Sequence, residues 1–178
     1  MTGLETKFTQ PGVALSDGSV IRGYASVFGV ADQGGDIVMP GAYSASLQKM
    51  AERGGKVRML WQHDQGQPIG VWDEVIEDSH GLRVAGRLLT DVAKGREAVA
   101  LMSAGAVDGL SIGYRTIRAE KTPGGGRKLH ELELWEVSLV TFPMLPVARV
   151  AAKEAVYDDR LLAAFADGLI AAQSALRG

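Results

Sequence analysis

The 178-residue sequence contains no cysteine and only three histidines. The absence of cysteine excludes disulfides, thiolate metal sites and cysteine nucleophiles, and it suits a reducing cytosol. No run of 18 apolar residues is present to span a bilayer, and the first residues, MTGLETKFTQPG, lack the pattern of a signal peptide. The formal net charge of -2 offers no basic field to nucleic acid or to a membrane surface. We therefore expect a protein that binds neither and that has few candidates for a general base.

Short β-branched and aromatic runs make up much of the sequence, and they predict strands. The predicted strands are 20–28, 56–64, 66–78 and 81–89, with a turn at Gly66 between the second and the third. Two longer runs, GLSIGYRTIRAE and LHELELWEVSLVTF, flank the turn sequence KTPGGGRK and predict a hairpin.

Helical patterns occur in three places. One runs from Ala42 to Gly54 after Pro40, and a second is capped by Thr90 or Asp91 and ends near Ser103. The alanine-rich segment 153–178 has apolar residues at helical spacing. Because strands and helices do not alternate regularly, the predicted fold class is α+β, a small antiparallel β-barrel decorated with two to four helices. Residues 1–152 would form this domain, and the C-terminal helix would either cap it or serve in assembly.

The sequence Gly109-Leu110-Ser111-Ile112-Gly113 matches the G-x-S-x-G pattern of the α/β-hydrolase nucleophile elbow. An elbow needs a helix after the serine, whereas IGYRTIRAE favours a strand. We therefore interpret Ser111 as a strand residue that shares a face with the two glycines, with apolar residues on the other face. A peptide backbone could approach the hydroxyl on such a face. A closely packed corner of the barrel is the alternative.

A histidine and a glutamate are candidate partners of this serine. His63 follows Trp61 on the apolar face of its predicted strand, where a perturbed pKa would suit a general base; a structural histidine is the alternative. Strict alternation places Glu136 on one face with Leu134 and Ser138. A carboxylate there is costly unless it is paired, and imidazole is a suitable partner, although an arginine would also serve.

Several sequence blocks, taken together, resemble the prohead maturation protease family of tailed phages. The blocks are GYASVFGVADQGGDIVMPGAYSASL, LWQHDQGQPIGVW, GLSIGYR and LWEVSLVTFPMLPVARV, and they extend from about Gly23 to Val150. Tyr43 stands where the family's P-G-A-F block has phenylalanine, which is a conservative departure. The family resembles assemblin, the herpesvirus capsid-maturation protease, which is a serine protease built on a helix-decorated antiparallel β-barrel.

The resemblance implies particular site residues. The family's histidine falls on His63 and its serine on Ser111. The acid role points to Glu136, with Asp64, Glu131 and Glu133 as competitors nearby in sequence. By analogy with assemblin, Arg149 in PVARV would help to stabilise the oxyanion. No metal or cofactor is implied.

The resemblance also implies a function for the domain at 1–152, a serine endopeptidase with a Ser-His-Glu triad. Its substrates would be the scaffolding segment of the major capsid protein and the chain itself, inside an immature capsid in the host cytoplasm. Assemblin suggests a homo-oligomer, a dimer or larger. The particle could be a phage, a prophage or a gene-transfer particle, and the alternative function is a non-catalytic capsid assembly or scaffold protein that retains the fold.

Overall fold

The computed structural model describes residues 18–150, which form seven strands and two helices. The strands are β1 (Val20–Val27), β2 (Ile37–Val38), β3 (Arg58–Trp61), β4 (Asp64–Glu77), β5 (Gly81–Leu88), β6 (Gly109–Lys121) and β7 (Arg127–Val140). The helices are α1 (Ser44–Glu52) and α2 (Ala93–Ser103). The predicted helix at 153–178, with its capping or assembly role, lies outside the described residues.

The strands form one curled, half-barrel sheet, in which pairing follows the order β1-β5-β4-β3-β7-β2. β3 and β2 pair with opposite ends of β7 along one edge, and β6 pairs along the other edge. The predicted antiparallel β-barrel with two to four helices is confirmed in part: the sheet is a curled half-barrel with two helices, but β2 and β3 run parallel to β7. The β3–β4 and β6–β7 hairpins are each antiparallel, and their junction along β3 and β7 places two strands of like direction side by side. After β7, Val150 makes an isolated bridge to Gly23 in β1, and Arg149 makes one to Gly109 in β6.

The hydrophobic core is formed mainly by leucine, isoleucine and valine side chains from the sheet, together with the buried Tyr43, Met59 and Trp72. Helix α1 packs against β7, and α2 packs against β4 and β5. The start of α1 is held from outside the helix, since the Glu77 carboxylate accepts hydrogen bonds from the backbone N–H groups of Gly41 and Tyr43 and from the Ser44 hydroxyl. Helix α2 starts after Val92 with no side-chain cap, so the cap predicted at Thr90 or Asp91 does not form.

Strand β7 contains a bulge at Trp135. Gly113 pairs with Glu136 and Tyr114 with Leu134, so Trp135 has no partner in β6. Leu134 lies in the core before the bulge, and Val137 lies in the core after it. Because one extra residue reverses the alternation of side chains, Glu136 lies on the face opposite Leu134. The strict alternation expected from the sequence is therefore wrong beyond Trp135.

Candidate active site

Three side chains predicted from the sequence lie in one hydrogen-bonded chain. The Nε2 atom of His63 is 3.0 Å from the Ser111 hydroxyl, and its Nδ1 atom is 2.6 Å from Oε1 of Glu136. Ser111 comes from β6, Glu136 from β7, and His63 from the connection between β3 and β4. The structure thus brings together residues separated by up to 73 positions in the sequence.

Gly109 and Gly113, two residues before and after Ser111, leave space that other atoms of the protein occupy. A Cβ atom at Gly113 would lie 2.1 Å from Oε1 of Glu136, and one at Gly109 would lie 2.6 Å from the backbone oxygen of Val140. Real Cβ atoms do not approach other atoms so closely. The space that the sequence suggested for a substrate backbone is therefore occupied, at Gly113, by the carboxylate that meets the imidazole.

His63 is presented by a tight turn rather than by a strand. β3 ends at Trp61 and pairs with β4 from Asp64, which leaves Gln62 and His63 as a two-residue connection. Both residues have positive φ, 53° and 63°, as a type I′ turn requires. Neither is glycine, so the backbone is held in a sparsely populated region, which is common where function sets the geometry. The turn predicted at Gly66 is therefore wrong, because Gln-His carries none of the usual turn residues.

Four hydrogen bonds hold this turn against the end of β7, and in one of them Oε1 of Gln62 accepts from the backbone N–H of Thr141 at 3.3 Å. The backbone N–H of Gln62 donates to the Leu139 carbonyl at 3.0 Å, and its side-chain amide donates to the Thr141 hydroxyl at 2.8 Å. The backbone N–H of His63 donates to the Ser138 hydroxyl at 3.1 Å. These bonds offset the strain of the left-handed backbone and fix the imidazole over β6 and β7.

Ser138 is a residue of the site to which the sequence analysis assigned no role. Its hydroxyl donates to Oε2 of Glu136 at 2.6 Å while it accepts the hydrogen bond from His63 N–H. The side chain is fully buried. Its position two residues after Glu136, on the same face of one strand, is the feature of the sequence that could have indicated this contact.

The electrostatics of the site favour a charged imidazole. Glu136 is 8% exposed, and its carboxylate is satisfied by Ser138 and His63. The hydrogen bond from Glu136 raises the pKa of His63, partial burial lowers it, and the carboxylate charge raises it further. The result is an imidazole whose pKa lies above its ordinary value.

The competing acids and the other histidines have different partners. Asp64 accepts hydrogen bonds from Gly66 and Gln67, and Glu133 forms an ion pair with Arg115. Glu131 lies opposite Arg118 in the β6–β7 ladder. His130 lies 3.5 Å from Glu120, and His80 packs its ring edge-on against Tyr24.

Arg149 is near the strand of Ser111, but the structure does not bring its side chain to the hydroxyl. Its guanidinium donates to the Asp108 carboxylate and to the Pro146 carbonyl. The backbone beside it is closer to the site, because the N–H of Leu110 donates to the Ala148 carbonyl at 2.7 Å. Arg149 thus anchors the segment that lies along the start of β6.

A cleft of about 180 Å³ opens beside Ser111, between β1, the loop after it, β6 and the residues Met144 and Leu145. Within residues 18–150, no group of three or more histidine, aspartate or glutamate side chains is arranged to hold a metal ion. The same part of the chain has no helix that is long and apolar enough to cross a membrane.

A hydroxyl that is hydrogen-bonded to an imidazole, with a carboxylate on the far ring nitrogen, is the arrangement by which serine hydrolases activate their nucleophile. Here it lies on a curled β-sheet. The sequence model of the caudovirus prohead serine proteases matches residues 6–161, and the chain belongs to that family. The family resemblance predicted from the sequence, and with it the class of serine proteases, is confirmed.

The proteins that are similar to this chain include two relatives and one solved structure described below. The prohead protease of Enterobacteria phage HK97 is 36% identical over 155 residues, which are 85% of this chain and 66% of that protein. The capsid polyprotein of Pseudomonas phage PAJU2 is 30% identical over 107 residues, 56% of this chain and 16% of that protein. The chain therefore spans less than two thirds of the length of either relative. The structure of the bacteriophage T4 capsid assembly protease has the same fold, with a TM-score of 0.54 at 14% identity, covering 82% of this chain and 90% of that one.

Proposed function

We propose that the protein is a prohead maturation endopeptidase that cleaves peptide bonds with a Ser111–His63–Glu136 triad. The observation that carries this proposal is the continuous hydrogen-bonded chain from the Ser111 hydroxyl through His63 to the buried Glu136 carboxylate. Membership of the prohead serine protease family supports the same chemistry.

In the acylation step, Ser111 Oγ attacks the carbonyl carbon of the scissile peptide and passes its proton to Nε2 of His63. His63 then gives that proton to the leaving amine, which breaks the C–N bond and leaves an acyl-enzyme. A water molecule attacks the ester in the second half, with His63 again as the base. Glu136 accepts the hydrogen bond from Nδ1–H throughout, so it holds the tautomer and stabilises the imidazolium.

The oxyanion of the tetrahedral intermediate needs hydrogen-bond donors at fixed positions. The oxyanion-stabilising role predicted for Arg149 remains a proposal. Because its guanidinium is held by Asp108 and Pro146, this role would be indirect. The 141–147 loop borders the cleft beside Ser111 through Met144 and Leu145. Arg149, by anchoring the chain that follows this loop, would position the loop's N–H groups.

The substrates that we propose are the scaffolding segment of the major capsid protein and the chain itself. The names of the HK97 prohead protease and of the PAJU2 capsid polyprotein support a capsid protein as the target. The site of action would be the interior of the immature capsid in the host cytoplasm, with the enzyme as a dimer or a larger homo-oligomer. The assemblin-like relationship stays a prediction.

The test is co-expression of the full chain with its cognate capsid protein, followed by intact-protein mass spectrometry. Ser111→Ala should lower cleavage on the order of a thousandfold or more, because the nucleophile is lost. His63→Ala and Glu136→Gln should also lower it. Ser79→Ala, at an exposed serine outside the site, is the matched control and should cleave like the wild type.

Assembled shells are first verified by electron microscopy, so that the enzyme meets its substrate in the relevant state. If capsid protein and protease are trimmed equally by wild type and Ser111→Ala, the triad is wrong and the non-catalytic scaffold function stands. If capsid protein in verified shells is never trimmed, the endopeptidase proposal fails.

A further inference from the structure

The cleft beside Ser111 has apolar walls and a carboxylate edge. Its walls include Val27, Val30, Val38, Ile112 and Met144. Asp32 and Asp36, from the loop between β1 and β2, also line the cleft, and no lysine or arginine of residues 18–150 does so. The two sides of the cleft are joined, since the backbone N–H of Gln33 donates to the Met144 carbonyl at 2.9 Å.

The position of His63 decides which part of a substrate would enter this cleft. Ser111 lines the cleft, whereas His63 does not. Because His63 Nε2 must reach the nitrogen of the leaving amine, the leaving part of the substrate lies on the side of the imidazole. The acyl part therefore extends away from His63, and the side chain before the scissile bond is the one that the cleft receives.

The two carboxylates at the edge of the cleft differ in their partners. Asp36 is paired with Arg127, whose Nε atom lies 3.1 Å from the carboxylate, so the charge of Asp36 is compensated. Oδ1 of Asp32 accepts hydrogen bonds from the backbone N–H groups of Gly34 at 2.8 Å and of Asp36 at 2.9 Å. Oδ2 of Asp32 has no hydrogen-bond partner among residues 18–150, and no cationic side chain of that part of the chain forms an ion pair with it. Among residues 18–150, the Asp32 carboxylate is therefore not paired with a cation at the edge of the cleft.

We propose that this cleft binds the side chain preceding the scissile bond and selects a lysine or an arginine there, with Asp32 as the residue that sets the specificity. This inference rests on the proposed endopeptidase function. The apolar walls fit the methylene stem of such a side chain, and the Asp32 carboxylate meets its charged end. An acidic side chain would instead place two like charges in one partly enclosed cleft.

The first test identifies the residue before the cleaved bond. The full chain is co-expressed with its capsid protein in verified shells, and the new N-terminus of the product is read by mass spectrometry. That position is then replaced by Lys, Arg, Met and Glu in the capsid protein. We expect cleavage after Lys and Arg to exceed cleavage after Met by about tenfold, and cleavage after Glu to be weakest.

The second test uses Asp32→Asn, which keeps the Oδ1 acceptor for Gly34 and Asp36 and removes only the charge. The ratio of cleavage after Lys or Arg to cleavage after Met should fall by about tenfold. Asp91→Asn, at an exposed carboxylate that does not line the cleft, is the control and should leave every ratio unchanged.

The outcomes separate this inference from the proposed function. If the wild type cleaves the Lys, Met and Glu substrates equally, the proposed specificity is wrong. The same holds if Asp32→Asn lowers the cleavage of every substrate by the same factor. The endopeptidase proposal is unaffected by either result. If neither the wild type nor Ser111→Ala trims capsid protein in verified shells, both proposals fall together.

Discussion

At the scale of single residues, the buried hydroxyl of Ser138 holds two members of the site at once. It donates to Glu136 and accepts from the backbone N–H of His63. Ser138→Ala removes both contacts, and a small displacement of the imidazole is costly, so we expect cleavage to fall by roughly tenfold to a hundredfold. Ser138→Thr keeps the hydroxyl and should restore most of the rate. Equal rates in the alanine variant and the wild type would show that Ser138 only fills space.

The charge state of His63 sets the pH dependence of cleavage. Only the neutral imidazole accepts the proton of Ser111, so the rate should rise with pH as His63 loses its proton. Because Glu136 raises the pKa of His63, this rise should be centred above the ordinary value of about 6.5. Glu136→Gln removes the carboxylate charge, so it should lower the maximum rate and move the midpoint to lower pH. Rates measured across the pH range check this, and an unchanged midpoint would contradict it.

At the scale of secondary-structure elements, the close approach of β6 and β7 depends on Gly113. An alanine Cβ there would lie 2.1 Å from the Glu136 carboxylate, which must then leave the imidazole. We expect Gly113→Ala to lower cleavage by roughly a hundredfold and stability by about 1–3 kcal/mol.

Gly124→Ala is the matched control for this strand pair. It lies at the tip of the same hairpin, where an added Cβ meets nothing within 4 Å. Thermal unfolding and cleavage are measured for both variants. If Gly113→Ala were as active as Gly124→Ala, the tight fit against Glu136 would not matter to the site.

The start of α1 provides a second test at this scale. Glu77 of β4 accepts three hydrogen bonds from the first residues of the helix region. Glu77→Ala leaves those donors without their partner, and it should lower the free energy of unfolding by about 1 kcal/mol with little change in cleavage. Denaturant unfolding measures the loss, and stability equal to that of the wild type would contradict it.

At the scale of the whole molecule, the Asp36–Arg127 pair joins the loop after β1 to the far end of the β6–β7 hairpin, 91 residues away in sequence. The hydrogen bond from Arg127 lowers the pKa of Asp36. A carboxylate with a lowered pKa in the folded state adds stability above its unfolded pKa, and that stability is lost as the pH falls through the folded value.

Asp36→Asn should therefore be less stable than the wild type at pH 7 by about 1 kcal/mol, since the pair is partly exposed. The difference between the two proteins should shrink as the pH is lowered from about 7 towards 3. Unfolding curves across that range measure it. A difference that stays constant would show that the charge of Asp36 is not the cause.

The sequence predicted the parts of this site that depend on chain neighbours. The β-branched run after Ser111 predicted a strand there, and the hairpin around KTPGGGRK was predicted within a few residues of its observed ends. The geometry around His63 was not predicted, because Gln62 and His63 are unusual residues for a two-residue turn with positive φ. Their conformation depends on bonds to the end of β7, far away in sequence.

The sequence by itself thus determined the residue types of the site and the local elements that carry them. Only the tertiary structure decided that β3 and β7 run parallel, that Ser138 links Glu136 to His63, and that Glu136 lies on the face opposite Leu134. The physical reason is that the alternation along a strand reports the face of a residue only while the register is unbroken. The bulge at Trp135, which forms through pairing with β6, reverses that alternation within one residue.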